Sequence, residues 1–255
     1  MIEVKNVSKS FELTRQQRKE LSTKEKIATA VSELSFSCQP GRIFSLLGPN
    51  GAGKTTTLRM IASIYKPTSG QILVNGIDVV EKPNEAHRII GFLTGSTQMY
   101  GRLTPNELIR YFGDLYQMQS NDFEARKKYL FALLEINEFA NKRISKLSTG
   151  MKQRVSICRT MIHNPEVVIF DEPTSGLDVI SAASIIQLIR DCKAEGKTVI
   201  FSSHIMSEVE LLCDDLAIIT KGKLIFNATF DEFKSQMTKA NITEEFIERV
   251  QTATV

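Results

Sequence analysis

The sequence predicts an α/β protein built on a parallel sheet, from three observations. A short apolar run occurs at residues 42–47, and continuous apolar runs of the type buried on both faces of such a sheet occur at 167–170 and 198–201. Helical stripes with apolar residues at spacings of three and four separate them. A glycine-rich turn closes the first run and opens the first of those helices. With 42% hydrophobic and 24% charged residues over 255 positions, the chain has enough apolar material for a sizeable core.

Taken in order, the run 42–47 stops at Gly48-Pro49, and a helix follows with Leu58, Ile61, Ala62 and Tyr65 on one face. Pro67 and Gly70 are expected to end it. Residues 105–163 read as mostly helical, with a stripe of Met151, Val155, Cys158 and Ile162 closed by Pro165. The strand 167–170 delivers Asp171 and Glu172 at its end. Ala182, Ile185, Ile186 and Ile189 mark the helix leading to the strand 198–201. Beyond residue 230 the chain turns polar and is expected to be peripheral, with one or two helical turns over 243–250.

Charge and cysteine usage narrow the class. Basic minus acidic residues is 32 − 29 = +3, too mild to imply nucleic-acid binding by charge alone. No stretch approaches eighteen uninterrupted apolar residues, and the start Met1-Ile2-Glu3-Val4-Lys5 lacks a basic-then-apolar export pattern. Cys38, Cys158, Cys192 and Cys213 form no CxxC pair and read as free thiols. A soluble intracellular protein is the expectation. Between residues 14 and 30, Arg15, Arg18, Lys19, Lys24 and Lys26 face only Glu20 and Glu25. That segment reads either as a solvated loop between strands or as a contact for acidic lipid headgroups or a partner's acidic loop.

The chemistry concentrates in three places. Gly48-Pro49-Asn50-Gly51-Ala52-Gly53-Lys54-Thr55 fits G-x-x-x-x-G-K-[ST] at every fixed position, after a predicted strand and before a predicted helix. Glycines let successive backbone N–H groups converge on phosphate oxygens, and the helix N-terminus adds positive charge. Lys54 then reaches the β- and γ-phosphates, and the Thr55 hydroxyl suits Mg²⁺. Asp171 and Glu172 stand at the C-terminal end of a parallel strand, where open sheets bind ligands. Asp171 suits the Mg²⁺ shell, and Glu172, on the alternate face, suits polarising the attacking water. Ser148, in Leu147-Ser148-Thr149-Gly150-Met151, is an N-cap candidate whose open helix end welcomes an anion.

The phosphate loop, then Leu147-Ser148-Thr149-Gly150-Met151, Asp171-Glu172, Ser175-Gly176-Leu177-Asp178 and Ser202-Ser203-His204, in that order, resemble an ABC-type ATPase domain over about residues 2–230. Within it, Arg42-Ile43-Phe44-Ser45-Leu46-Leu47-Gly48 and Ile89-Ile90-Gly91-Phe92-Leu93-Thr94-Gly95-Ser96 resemble ATP-binding subunits of NatA-type sodium exporters. The resemblance implies a P-loop NTPase core with an N-terminal antiparallel β portion and an inserted helical subdomain. The division it suggests is one ATPase domain over 1–230, the insertion at about 95–160, and a C-terminal appendage over 231–255. ATP and Mg²⁺ are the implied cofactors, with Glu172, His204 and Lys54 catalytic. Thr55 and Asp171 are the implied metal ligands. Gly48 to Thr55 with Thr56 would hold phosphate, and Phe11 would stack on adenine. Ser148 and Gly150 would meet the γ-phosphate of ATP held by a second copy. Asp178 would communicate across that dimer, and His204 would bond the γ-phosphate unless it merely caps its strand.

Departures from the family pattern are Thr149 and Met151 in the signature, and Gly95 where a glutamine is usual, with Gln98 three residues later. The function so implied is an ATP-hydrolysing subunit on the cytoplasmic face of a membrane. It would dimerise on ATP and drive export through separate integral-membrane permease subunits, sodium being the first cargo to consider. Other cargo (drug, lipid, polysaccharide) is the alternative, as is a soluble regulatory or nucleic-acid-associated ABC ATPase. No nucleic-acid partner is expected.

Overall fold

The computed structural model describes residues 1–20, 22–94 and 99–253. β1 (Ile2–Glu12) and β2 (Ile27–Cys38) pair antiparallel, and their connection carries the short helix α1 (Arg15–Glu20). Residues 14–30, expected as a loop, are thus part helix and part strand. α1 buries no residue, so it owes nothing to the core. β3 (Ile43–Leu47) is buried at all five positions, as a mostly apolar run interrupted only by Ser45 suits.

α2 (Lys54–Ile61) follows the glycine-rich turn and stops earlier than the predicted stripe. Ser63 sits at φ +58, and the Ile64 N–H bonds the Arg59 carbonyl at 2.9 Å. That six-to-one bond around a left-handed residue is a Schellman closure, so Tyr65 leaves the helix before Pro67 is reached. β4 (Ser69–Val74) and β5 (Ile77–Asp78) complete an antiparallel sheet of order β2-β1-β4-β5. α3 (Pro83–Ile89) then leads into β6 (Ile90–Leu93).

The predicted helical stretch resolves into α4 (Pro105–Leu115), α5 (Ser120–Leu133), two short 3₁₀ turns and α6 (Thr149–Met161). A capping box of Thr104 and Glu107 starts α4. β7 (Val167–Asp171), α7 (Val179–Ala194) and β8 (Thr198–Ser202) follow the predicted order. α7 buries Ser181, Ile185, Leu188, Ile189 and Cys192, so its buried face is rotated from the predicted one, and Ala182 and Ile186 are only half-buried. α8 (Met206–Leu212), β9 (Asp215–Thr220) and β10 (Lys223–Thr229) end the second sheet.

That sheet has the order β10-β9-β3-β8-β7-β6, parallel except for β10. Within it β3, β8 and β7 are neighbours, and Ser202 at the end of β8 pairs with both Leu46 and Asp171. The loops after these three strands therefore emerge side by side at one edge.

The tail departs from the peripheral expectation. α9 (Phe230–Ser235) and α10 (Ile242–Thr252) put Phe230, Phe233 and Ile242 into the main core, and Asn241 caps α10 through the Glu244 N–H. The Arg249 guanidinium lies 4.5 Å from the Phe226 ring centre and 4.8 Å from that of Phe233, fastening α10 over β10 and α9. Phe230, Phe233 and Ile242, with Met237, Phe246 and Val250 packed against the same core, hold this segment down; its average polarity hid them. The four cysteines are all free and buried.

Candidate nucleotide site

The glycine-rich turn needs its glycines for space. A Cβ on Gly53 would stand 2.6 Å from the Ala30 carbonyl oxygen at φ +105, and one on Gly48 would stand 2.3 Å from the Ile219 carbonyl oxygen. β2 and β9 thus press the loop from two sides, and only bare backbone fits. Gly53 precedes α2, whose first N–H groups have no intrahelical acceptor and face a cleft of about 180 Å³. Ala30, Asn50 to Thr56 and Glu172 line it. Lys54 is 5% exposed, and its Nζ donates to the carbonyl oxygens of Gly48 at 2.6 Å and Pro49 at 3.2 Å. Burial lowers the pKa of its ammonium, against an opposing pull from the carboxylates of Glu172 and Asp171.

Asp171 is 6% exposed and accepts from the Ser202 hydroxyl at 2.7 Å. Glu172 has φ +52, a left-handed conformation costly for a glutamate. Its N–H is held at 3.2 Å by both the carbonyl and the hydroxyl oxygen of Ser202. This bend separates the two carboxylates: Asp171 continues its strand, and Glu172 turns into the cleft. His204 Nδ1 lies 3.4 Å from Glu172 Oε2, with the imidazole about half exposed. Ser202, which the sequence offered only as part of Ser202-Ser203-His204 and with no role of its own, anchors Asp171 and Glu172 alike from the neighbouring strand.

Thr55 lines the cleft, and its hydroxyl and the Asp171 carboxylate, the ligands that the resemblance implies, are both hard oxygens of the kind that suits Mg²⁺. Among the described residues no group of three or more His, Cys, Asp or Glu side chains could hold an ion. An Mg²⁺ that completes its shell with phosphate and water needs only one or two protein oxygens.

Ser148, Gly150, Asp178 and Phe11 are not among the residues lining this cleft. Ser148 is the exposed N-cap of α6, its hydroxyl accepting from the Met151 N–H at 3.2 Å, and Gly150 lies in the first turn beside Leu177. Asp178 caps α7 through the Ser181 N–H and hydroxyl, at 3.0 and 2.8 Å, bonds that pull its pKa down. Val179 and Ile180, directly after it, are 86% and 70% exposed. Phe11 meets Tyr65 edge-on at 5.6 Å, with Lys9 Nζ 5.0 Å from its ring centre. Gly95 and Gln98 lie outside the described residues.

A strand, a phosphate-sized glycine loop with a buried lysine, and two consecutive carboxylates at the end of a second parallel strand define a P-loop nucleoside triphosphatase. A family model described as ABC transporter matches residues 31–175. The ABC transporter ATP-binding protein NatA of Bacillus subtilis (strain 168) is 42% identical over 209 residues, covering 82% of this chain and 85% of that protein. The linearmycin resistance ATP-binding protein LnrL of the same organism is 35% identical, covering 86% and 73%. Among solved structures, an ATP-binding subunit of an ABC transporter superposes with a TM-score of 0.85 at 26% identity, covering 98% of this chain and 99% of that one. A dimeric ATP-binding cassette in a post-hydrolysis state with ADP and Pi gives 0.78 at 26% identity, covering 90% and 98%. The chain belongs to the ABC transporter family, as an ATP-binding subunit that hydrolyses ATP.

Proposed function

We propose that two copies of this chain bind two ATP molecules between them, head to tail, and that their closing and opening drives export through separate integral-membrane subunits. The observation that carries this reading is the cleft itself. The phosphate loop, Glu172 and, beside it, His204 meet there, whereas Ser148 and Gly150 of the same chain do not line it. A second copy supplies them. The apolar pair Val179 and Ile180, exposed next to Asp178, suits burial against that copy.

In the closed pair, Lys54 and the backbone N–H groups of the loop hold the phosphates, with Thr56 at the same helix end and Phe11 against the adenine. Glu172 polarises the attacking water, and His204 holds the γ-phosphate next to it. Thr55 and Asp171 would hold Mg²⁺, which would supply positive charge against the phosphates. Ser148 and Gly150 of the opposite copy complete the cage, and Asp178 relays its closure.

No described helix is long and apolar enough to cross a membrane. On this reading, attachment to the cytoplasmic face runs through the membrane subunits. Their docking place is a groove of about 890 Å³ between the ATPase core and the inserted helices, lined in part by Ile64, Arg88, Phe92, Leu115 and Tyr116. Sodium efflux is the cargo reading that the sequence resemblance supports. Relatives named for linearmycin resistance and Nod factor export show that cargo differs among similar subunits.

The test is Glu172→Gln. It should retain ATP binding, lose at least about a hundredfold in steady-state phosphate release, and elute as a dimer with ATP and Mg²⁺. Lys54→Ala should neither bind nor dimerise. Pull-down from solubilised native membranes with the trapped variant should then recover a multi-span protein. A Glu172→Gln variant that turns over ATP as fast as the parent would remove Glu172 from the chemistry.

A further inference from the structure

Glu208 sits in the first turns of α8 and is 7% exposed. Its two carboxylate oxygens serve two separate loops. Oε1 accepts from the Thr174 hydroxyl at 2.5 Å, and Oε2 accepts from the Ser203 hydroxyl at 2.8 Å. Thr174 comes two residues after Glu172, on the loop leading to Asp178. Ser203 immediately precedes His204. Both hydroxyl residues are buried, at 5% and 3% exposure, so water does not readily replace either bond.

The bond to Ser203 reaches further. Its oxygen also accepts from the Ile205 N–H at 3.0 Å, closing a small turn with His204 at the apex. On the other side, the Thr174 loop carries the left-handed Glu172, whose bend depends on backbone anchors at both ends. α8 itself does not need the carboxylate to pack, because Val209 and Leu212 bury it. A buried carboxylate is expensive unless its oxygens are satisfied, and here both are satisfied by loops flanking the reacting groups.

We propose that Glu208 is a positioning residue for ATP hydrolysis, locking the loop after Glu172 to the turn that presents His204 and so setting the spacing of those two side chains. The inference rests on the reading that Glu172 and His204 act on ATP. Glu208→Gln keeps the shape but replaces one acceptor oxygen with an NH₂ group, which cannot accept from a hydroxyl. Thr174→Val removes one donor at constant volume, and Thr174→Ser keeps it.

Phosphate release by the full chain, alongside binding of a fluorescent ATP analogue, reads the effect. Misplacing reacting groups by about 1 Å costs on the order of a hundredfold. Glu208→Gln and Thr174→Val should each lower kcat about tenfold or more, with KM within about twofold, and Thr174→Ser should regain most of that loss. In a His204→Ala background, Glu208→Gln should cost little further, because the group it positions is gone. Losses that multiply in the double variant, or a lower melting temperature with parental kcat, would overturn the proposal. If Glu208→Gln does not fold, the Thr174 pair carries the same test. Parental kcat in both Glu172→Gln and His204→Ala would instead reject the underlying assignment, and the proposal with it.

Discussion

His163 gives the molecule a pH-dependent stability that can be worked from its surroundings. It follows α6 and stacks on Tyr116, with ring centres 3.9 Å apart and planes within 5° of parallel. Its Nε2 is 3.3 Å from the Ile90 carbonyl oxygen, which can only accept, so Nε2 carries the proton. The other nitrogen, Nδ1, is buried with no hydrogen-bond partner among the described residues. A second proton there would have no acceptor. Burial, with the nearby cations of Lys197 and Arg126, brings the imidazole down from 6.5 to about 4.

The unfolded chain therefore takes up a proton near pH 6.5 that the folded chain refuses until about pH 4. Stability from this group is full above pH 6.5 and falls as the pH drops through that window. At 1.36 kcal/mol per pH unit, the loss amounts to about 2 kcal/mol by pH 5 and about 3 kcal/mol near pH 4. Other groups titrate in the same range, so the comparison is with His163→Phe, which keeps the stacked ring and cannot be protonated. Urea unfolding of both chains from pH 8 to pH 4.5 should show the parent losing about 2.5 kcal/mol more than the variant. Parallel curves would refute the argument.

Two further outcomes follow from close packing. Gly53→Ala forces a methyl into the Ala30 carbonyl at a positive φ; it should destabilise by roughly 2 kcal/mol and cut ATP affinity more than about tenfold, by thermal melting and nucleotide titration. Phe233→Ala empties a fully buried site beneath Arg249; urea unfolding should show a loss of about 3–5 kcal/mol, against under about 0.5 kcal/mol for a peripheral tail.

Much of the site could be read directly because its signals are local. A strand buried on both faces is mostly apolar, so β3, β7 and β8 appear as short apolar runs. A phosphate loop under steric pressure from two neighbouring backbones must be glycine at set places, so Gly48 and Gly53 mark it. Ser148 caps α6 as its position before the helix predicted. The end of α2 was not legible, because the left-handed closing residue is Ser63 rather than the usual glycine. The buried face of α7 depends on what packs against it, and the spacing of its isoleucines left more than one rotation open.

By itself, then, the sequence determined the class of sheet, the phosphate loop, the two carboxylates and the family, since each rests on residue types at short, fixed spacing. Tertiary structure alone decided which of these groups meet. The strand order puts β8 between β3 and β7, so Ser202 holds Asp171 and Glu172 from 30 residues away and brings His204 within 3.4 Å of Glu172. It also fastened a mostly polar tail to the core through Phe230, Phe233 and Ile242. Contacts between residues so far apart depend on the packed chain as a whole, and no spacing within a single segment encodes them.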